Sequence, residues 1–394
     1  MSQEFLMLVL VVVAALGFDF TNGFHDTANA MATSIATKAL GPRTAVALAG
    51  LLNLAGAFLS VEVALTVTNA VVRIQDSSGA PKPELLAHGG GALLLIVLAG
   101  LVGGIVWNLL TWLLGLPSSS SHALFGGLIG ATVAGLGWVG VNTDGLVAKV
   151  LMPAVLSPLI AGVVAATGAW AVRRITAGLA RHHTGSGFRW GQIGSASLVS
   201  LAHGTNDAQK TMGVITLALI AAGHWTDTGA VPFWVKVACA LAIALGTYVG
   251  GWRIIRTLGK GIADITPEHG MAAQSASAAV ILASSHLGFA LSTTHVATGS
   301  IIGAGVGRPN AGVRWPVAAR MVAAWLVTLP AAGLVGAAMW WLGHLIGGAG
   351  GALLIFALLL LASAAMYVRS RRRPVGEHNV NEDWEPAAPV PAVH

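Results

Sequence analysis

The feature that most constrains this chain is the length of its apolar runs. The run LLLIVLAGLVGGIVWNLLTWLLGL extends from Leu93 to Leu116 without a charged residue. A stretch of about 18 or more apolar residues is long enough to cross the hydrocarbon core of a bilayer. Only 9% of the 394 residues are charged, whereas soluble domains carry roughly 25%. The sequence therefore predicts an all-α polytopic membrane protein whose main partner is the lipid bilayer.

The net charge of +6 does not indicate a nucleic-acid partner, because the basic residues lie in short connections and at the C-terminus. Membrane topology accounts for such a distribution. The N-terminal run lacks the basic region of a secretory signal and carries Glu4 instead, which favours a first membrane helix. Cys239 is the single cysteine, so a thiolate metal site and a redox pair are excluded. A resident metal or cofactor is not expected either.

Polar motifs of the first half recur in the same order in the second half. The matched pairs are GFHDTANAM at 23–31 with GTNDAQKTM at 204–212, SSSH at 119–122 with STTH at 292–295, and Pro158 with Pro330. Weak internal symmetry of this kind is typical of transporters that are built from two repeats. An odd number of crossings in the first repeat would invert the second repeat in the membrane and bring the matched motifs together near the midplane.

Each predicted repeat contains about five transmembrane helices and one re-entrant helical hairpin, whose short Gly-rich arms lie at 123–139 and 296–306. The predicted division is a first transmembrane repeat at 1–172, a polar basic central loop at 173–190, a second transmembrane repeat at 191–348, an extra C-terminal transmembrane helix at 349–369 and a disordered tail at 370–394.

Asp26 and Asp207 are the acids of the duplicated motif, and a carboxylate inside the hydrocarbon region marks a functional site by default. Gly23 and Gly204 would let each helix break there and expose backbone groups to a ligand. A hydrogen-bond network that only satisfies itself is the alternative interpretation. The polar residues around the two acids suit a cation, a proton or a hydrated oxyanion; they are Asn22, His25, Asn29, His203, Asn206, Gln209 and Lys210.

Lys210 makes the two motifs unequal, because its counterpart in the first half is the neutral Asn29. An ammonium beside Asp207 would neutralise that carboxylate, attract an anion or take the place of a sodium ion. The alternative is a lysine whose long side chain extends to the membrane surface.

The hydroxyl clusters at 118–121 and 292–294 suit an oxyanion, because hydroxyls and helix N-termini are its usual donors in neutral sites. Ser and Thr are also ordinary helix N-caps, but capping needs one hydroxyl per helix. The adjacent His122 and His295 are candidates for donating to the oxyanion or for shuttling protons, with a structural role as the alternative.

With these motifs, the chain resembles the PiT family of inorganic phosphate transporters from about residue 5 to residue 368. The family's duplicated Gly-x-Asn-Asp core with a second Asn matches GFHDTANA and GTNDAQK, and its hydroxyl clusters match SSSSH and STTH. The resemblance implies an inverted-repeat fold that imports inorganic phosphate across a bacterial inner membrane by alternating access, usually as a homodimer. It is not the pattern of an enzyme.

The resemblance also implies roles for individual residues. The phosphate donors would be Ser119, Ser120, Ser121, Ser292, Thr293 and Thr294. The coupling ion would lie near Asp26, Asp207, Asn29, Asn206, His25, His203 and Lys210. A supporting layer around these two groups would comprise His122, His295, Asn22 and Gln209.

Two departures from the family motif bear on the coupling ion. His25 replaces the first Asn, and Lys210 replaces the second Asn of the second motif, as in the low-affinity bacterial branch. That branch is thought to take up neutral metal-phosphate complexes with protons, so a divalent metal is a candidate co-substrate. The side chains of His25, His203 and Lys210 can gain and lose a proton, so they suit a coupled proton better than an all-oxygen cage for sodium would.

The alternatives are a sulfate permease of the same family, a sodium-coupled phosphate symporter, a membrane-embedded enzyme and a channel. Phosphate can donate a hydrogen bond to a carboxylate, which favours it over sulfate beside Asp26 and Asp207. The chain lacks HExxH and G-x-S-x-G motifs, which disfavours an enzyme. Asp207 paired with Lys210 suggests a binding site rather than the charged ring of a channel.

Overall fold

The computed structural model describes residues 2–70, 72–73, 90–177, 181–307 and 312–382. Within these residues the chain consists of helices, turns and one isolated bridge between Val72 and Val141. The first half contains α1 Gln3–Ala36, α2 Pro42–Gly56, α3 Glu62–Ala70, α4 Gly91–Leu114, α5 Ser120–Leu136 and α6 Thr143–Ile175. The second half contains α7 Arg181–Ala221, α8 Phe233–Val249, α9 Trp252–Gly261, α10 Pro267–His286, α11 Thr293–Val306 and α12 Trp315–Ile346, followed by α13 Gly348–Ser370. The all-α architecture is confirmed.

The helices of the second half follow those of the first in kind and order. Each half begins with a long helix that carries the Asp motif, continues with two shorter helices, and ends with a pair of apolar helices and a long Pro-containing helix. Helix α13 follows the second set and has no counterpart among the described helices of the first half. The division into domains stays a prediction, although these bounds are compatible with it.

Helices α4 and α5 form an antiparallel hairpin, because Gly100 packs against Leu128 and Gly104 against Leu124. The chain leaves α4 at Gly115, whose positive φ of 66° ends the helix, and re-enters a helix at Ser120. Helices α10 and α11 are joined by an equally short turn with Gly288 at φ 66°. The tips of the two hairpins carry the hydroxyl clusters.

The long Asp-bearing helices pack across the halves. A Cβ at Gly23 of α1 would lie 2.3 Å from the carbonyl oxygen of Ile243 on α8, and a Cβ at Gly204 of α7 would lie 2.2 Å from that of Asn53 on α2. Because glycine has no side chain, the backbones of α1 and α8 are in direct contact, and so are those of α7 and α2. The prediction that α1 and α7 break at these glycines is therefore wrong, because both helices run through them without interruption.

The hairpins pack across the halves in the same reciprocal way. A Cβ at Gly126 of α5 would lie 2.4 Å from the carbonyl oxygen of Leu329 on α12, and a Cβ at Gly299 of α11 would lie 2.3 Å from that of Pro158 on α6. Each hairpin therefore rests on the Pro-containing helix of the other half. The contacts in one half repeat those in the other with the partners exchanged.

The described residues contain five helices that are long and apolar enough to span a bilayer, or six if the bent pair α8 and α9 counts as one span. This number is smaller than the predicted count of about five per half. The predicted count takes the apolar runs at 5–20 and 24–40, on either side of the first polar motif, as two crossings, whereas both belong to the single 34-residue helix α1. The same applies to the 41-residue helix α7.

Two polar segments are more ordered than predicted. The predicted central loop contains the first turns of α7 from Arg181 onward, where a polar sequence is compatible with a helix that extends beyond the apolar bundle. Residues 371–382 of the predicted disordered tail fold back onto the end of α1. The Val380 side chain is buried, and Asn381 donates a hydrogen bond of 3.3 Å to the carbonyl oxygen of Ile35. Residues 383–394 lie outside the described residues.

An exposed ion pair fastens this returning segment to the start of α2. The Arg43 guanidinium donates two hydrogen bonds of 2.5 Å to the Glu377 carboxylate, and these bonds hold the pKa of Glu377 below its ordinary value. The pair is therefore formed at neutral pH and is lost as the pH falls through that lowered pKa. Exposed pairs of this kind contribute little stability.

We expect Gly204→Ala to lower the thermal stability of the detergent-solubilised protein, because the added methyl group meets the Asn53 carbonyl and forces α7 away from α2. Overpacking of this kind costs about 1–3 kcal/mol. Gly194→Ala on the same helix is the matched control, because nothing lies within 4 Å of its Cβ. We expect this control to be as stable as the wild type or more so. Equal melting temperatures for Gly204→Ala and the wild type would contradict the close approach.

Candidate functional site

The carboxylates of Asp26 and Asp207 are buried between α1 and α7 and share one hydroxyl from the second hairpin. Their residues are 1% and 0% exposed. The Thr293 hydroxyl lies 3.1 Å from an oxygen of Asp207 and 3.3 Å from an oxygen of Asp26. A hydroxyl has a single proton to donate, so Thr293 serves one carboxylate at a time. This hydroxyl joins the two repeats at their centre.

Both hairpins supply further donors to Asp26. The Ser120 hydroxyl on the first hairpin donates at 2.6 Å, and the Thr294 hydroxyl on the second hairpin donates at 3.3 Å. The His25 ring nitrogen Nδ1 lies 2.7 Å from Oδ1 of the same carboxylate. Asp26 is thus surrounded by hydrogen-bond donors from three helices, which is how a buried carboxylate is stabilised.

Asp207 is paired with Lys210 one turn further along α7. The ammonium Nζ donates to Asp207, to the Ser121 hydroxyl at 2.6 Å and to the carbonyl oxygen of Leu291 at 2.9 Å. All three N–H groups of the lysine are used, and the residue is 1% exposed. The alternative of a side chain extending to the membrane surface therefore does not hold.

The two histidines beside the carboxylates are each oriented by a neutral side chain. His25 Nε2 lies 3.2 Å from the hydroxyl of Thr111, and His203 Nδ1 lies 3.0 Å from Oδ1 of Asn53. The Asn53 amide nitrogen donates to Thr247, which leaves its carbonyl facing His203. His203 Nε2 then lies between the acids, 3.1 Å from Asp207 and 4.0 Å from Asp26.

The hydroxyls predicted to hold an oxyanion divide into two groups. Ser119 and Ser292 accept hydrogen bonds from the backbone N–H groups of His122 and His295, so they are the N-caps of α5 and α11. The hydroxyls deeper in each hairpin tip donate instead to carboxylate or carbonyl oxygens; they belong to Ser120, Ser121, Thr293 and Thr294. Only this second group offers its protons to the interior of the site.

The residues three positions after each acid reach across to the opposite hairpin. Asn29 donates to the hydroxyls of Thr294 and Thr293 at 3.1 and 3.3 Å, and Lys210 donates to Ser121. Asn22 belongs to the same network, because its Oδ1 lies 2.7 Å from the Ser120 hydroxyl, whose one proton goes either to Asn22 or to Asp26. The structure therefore brings together these predicted residues around the two carboxylates.

Gln209 and Asn206 lie on other faces of α7. Gln209 Oε1 accepts from the backbone N–H groups of Val63 and Ala64 at 2.8 and 3.2 Å, which satisfies the start of α3. Asn206 donates to the Ser285 hydroxyl at 2.9 Å and to a carbonyl on the turn of the second hairpin. Neither amide hydrogen-bonds a carboxylate of the site.

His122 and His295 contact each other where the two hairpins meet. Their ring centroids are 4.8 Å apart, and the His295 ring also stacks on Trp325 at 4.0 Å. His295 Nδ1 lies 3.2 Å from the carbonyl oxygen of Ala154. These contacts connect the two hairpins with α6 and α12.

Asp26, His203 and Asp207 each offer one ligand atom within 4.8 Å of the others. Two carboxylates and an imidazole are a donor set that accepts a divalent cation. The ammonium of Lys210 already occupies one oxygen of Asp207. The geometry therefore admits a cation on the side of Asp26 and His203 more readily than on the side of Lys210.

Sequence reasoning missed several residues of the site and one buried acid outside it. Asn53, Thr111 and Thr247 are neutral side chains on helices without a motif, so the pattern offered no signal for them. Asp19 did offer one, because it is an acid inside the apolar run at 5–20 and the structure buries it completely. A charged residue at membrane depth is unusual enough to be a site hypothesis.

We expect Lys210→Met to destabilise the folded protein by about 3–5 kcal/mol, because a buried charge loses its partner. The double variant Lys210→Met with Asp207→Asn removes both charges and should recover most of this loss. Thermal unfolding of the wild type, the two single variants and the double variant measures the coupling. Additive effects of the two substitutions would show that the lysine and the aspartate do not stabilise each other.

Comparison with known proteins identifies relatives along almost the whole chain. The model of the phosphate transporter family matches residues 22–336. A probable low-affinity inorganic phosphate transporter of Mycobacterium tuberculosis (H37Rv) is 61% identical over 98% of this chain and 89% of its own length. A protein of the same description from Bacillus subtilis is 43% identical over 84% of this chain and 96% of its own length.

A solved structure described as the sodium-dependent phosphate transporter has the same fold. It superposes with a TM-score of 0.74 at 23% identity and covers 86% of this chain and 100% of its own. Together with the apolar helices, these matches make the chain a multi-pass membrane protein, which in a bacterium lies in the cell membrane. The chain belongs to the phosphate transporter family.

Proposed function

We propose that this protein is a secondary active transporter that imports inorganic phosphate, coupled to protons, by alternating access. The observation that carries the proposal is that Ser120, Thr293 and Thr294 donate their protons to buried carboxylates. These hydroxyls are also the donors that an oxyanion needs in a site without water. The described relatives, named as probable low-affinity inorganic phosphate transporters, support phosphate as the oxyanion.

Sharing of these donors provides a physical basis for coupling. When phosphate takes the hydroxyl protons, Asp26 and Asp207 lose donors and their buried charge becomes more costly. A proton or a metal ion at the carboxylates offsets that cost. Each ligand therefore favours binding of the other, which is the positive coupling that a symporter requires.

Protons fit the cation side better than sodium does. His203 Nδ1 faces the Asn53 carbonyl, so Nε2 is the nitrogen that takes up a proton between the two carboxylates. Lys210 occupies an oxygen of Asp207 that a sodium ion would otherwise use. The solved relative is described as sodium-dependent. Our assignment of a proton instead of sodium therefore rests on the side chains of His25, His203 and Lys210.

Two further aspects of transport follow from the same geometry. The ligand atoms of Asp26, His203 and Asp207 would accept the divalent metal of a neutral metal-phosphate complex, which makes the metal a co-substrate. The reciprocal packing of the hairpins on α6 and α12 supports a pair of inverted repeats that rock around a fixed centre. A homodimer remains the expected assembly.

Uptake of labelled phosphate into proteoliposomes tests the proposal. We expect accumulation under an inward proton gradient, stimulation by a divalent metal and weak competition by sulfate, whereas an inward sodium gradient alone should have little effect. Asp207→Asn should abolish uptake even in protein that still folds and inserts, although the variant is less stable than the wild type because Lys210 loses its partner. If neither phosphate nor sulfate accumulates under any gradient, the transporter proposal fails. Accumulation of sulfate in preference to phosphate would favour the sulfate permease instead.

We expect Ser120→Ala to raise the KM for phosphate about tenfold or more, because a hydrogen bond to a charged group contributes roughly 1.5–3 kcal/mol. Ser197→Ala is the control, since that hydroxyl only donates to the Ile193 carbonyl of its own helix at 2.8 Å. The KM of each variant is obtained from its initial uptake rate at a series of phosphate concentrations. An unchanged KM in Ser120→Ala would remove this serine from the phosphate site.

A further inference from the structure

Asp19 is a buried acid for which the transport site described above has no role. It lies on α1 seven residues before Asp26, which is two helical turns and therefore the same face. The residue is 0% exposed, and the only donors close to its carboxylate among the described residues are two neutral groups, the Thr211 hydroxyl and the Cys239 thiol, neither of which forms a hydrogen bond of good geometry with it. In this respect Asp19 differs from Asp26 and Asp207, which are surrounded by donors.

The groups that face Asp19 come from the helices packed against α1. Helix α7 presents the hydroxyl of Thr211, the ammonium of Lys210 and the carboxylate of Asp207, and α8 presents the thiol of Cys239. The one cation in this set, Lys210, has its three protons on Asp207, Ser121 and the Leu291 carbonyl. No described cation is therefore left to pair with Asp19.

An ionised carboxylate in this position would carry an uncompensated charge inside an apolar bundle, which is among the most costly arrangements in a protein. The neutral acid avoids that cost. Because the single ammonium of Lys210 already neutralises Asp207, the second acid of this pair is left to be neutralised by a proton.

The scaffold does not require an acid at this depth. The matching position of the second repeat, seven residues before Asp207, is Ser200, whose hydroxyl donates to the Ala196 carbonyl at 3.0 Å. The acid is thus present in one repeat and absent from the other, like Lys210. The two residues that break the symmetry, Asp19 and Lys210, lie near each other. Together they add one carboxyl group and one ammonium group to the same region.

We propose that Asp19 is a second proton-binding site of the carrier, which holds a proton in this conformation and releases it during the transport cycle. In the release step the carboxyl O–H bond breaks and the proton passes to water on the receiving side of the membrane. Lys210 then shifts from Asp207 to the Asp19 carboxylate, at a stage when Asp207 itself holds the coupling proton. The inference rests on the proposed proton-coupled transport for its role, but not for the protonation itself.

Infrared spectroscopy tests the protonation without reference to transport. The wild-type protein at neutral pH should show a carboxylic acid C=O band that is absent from Asp19→Asn. Asp144→Asn is the control, because Asp144 is exposed and its substitution should leave the band unchanged. If the spectra of the wild type and Asp19→Asn show the same carboxylic acid band, Asp19 is ionised and the inference is overturned.

Transport assays test the role. Asp19→Asn has the shape of the neutral acid, so it should retain exchange of labelled phosphate between equal concentrations on the two sides. Its accumulation under a proton gradient of about one pH unit should fall about tenfold, because each co-transported proton contributes that factor. Asp19→Glu keeps the acid and should accumulate phosphate.

The outcomes separate this inference from the proposed function. Wild-type accumulation by Asp19→Asn overturns the coupling role of Asp19. Loss of exchange as well as accumulation, in a variant with the melting temperature of the wild type, also overturns it, because the residue then acts in translocation itself. Absence of phosphate transport by the wild type defeats the proposed function, while the infrared result still decides the protonation of Asp19.

Discussion

The cost of burying carboxylates among apolar helices sets the requirements that the rest of the structure meets. Asp26 and Asp207 lie where water does not reach, so each needs donors that the protein itself provides. These donors come from both hairpin tips, and Lys210 and His203 add charge or protons from the helix of Asp207. The hairpins are therefore held in place partly by the carboxylates, and a change in the charge of an acid changes the contacts that close the site.

The two halves agree in packing and differ in chemistry. Glycine contacts such as Gly23 on Ile243 and Gly204 on Asn53 repeat with exchanged partners, because close backbone contact needs only the absence of a side chain. Beyond Asp26 and Asp207, the charged groups do not repeat, since Lys210 corresponds to Asn29 and Asp19 corresponds to Ser200. A nearly symmetric frame thus holds an asymmetric set of charged side chains at its centre.

Much of this arrangement could be predicted from the sequence, and the failures have identifiable causes. The duplicated Asp motifs and hydroxyl clusters indicated which side chains meet, because matched positions of two repeats converge. The motif glycines predicted a break that does not exist, since a glycine serves a close helix contact as well as it serves a turn. Asn53 and Thr111 escaped notice because a neutral residue at an unmarked position becomes relevant only once its neighbour in space is known.

The reciprocal packing has a consequence for synthesis of the protein. The first hairpin rests on α12, and α2 rests on α7, so the first half lacks its partners until the ribosome has delivered most of the chain. Asp26 reaches the membrane long before Thr293 and Thr294, its donors from the second hairpin. The site is therefore completed only late in insertion, and a chain that ends before the second hairpin leaves the buried Asp26 without two of its hydroxyl donors.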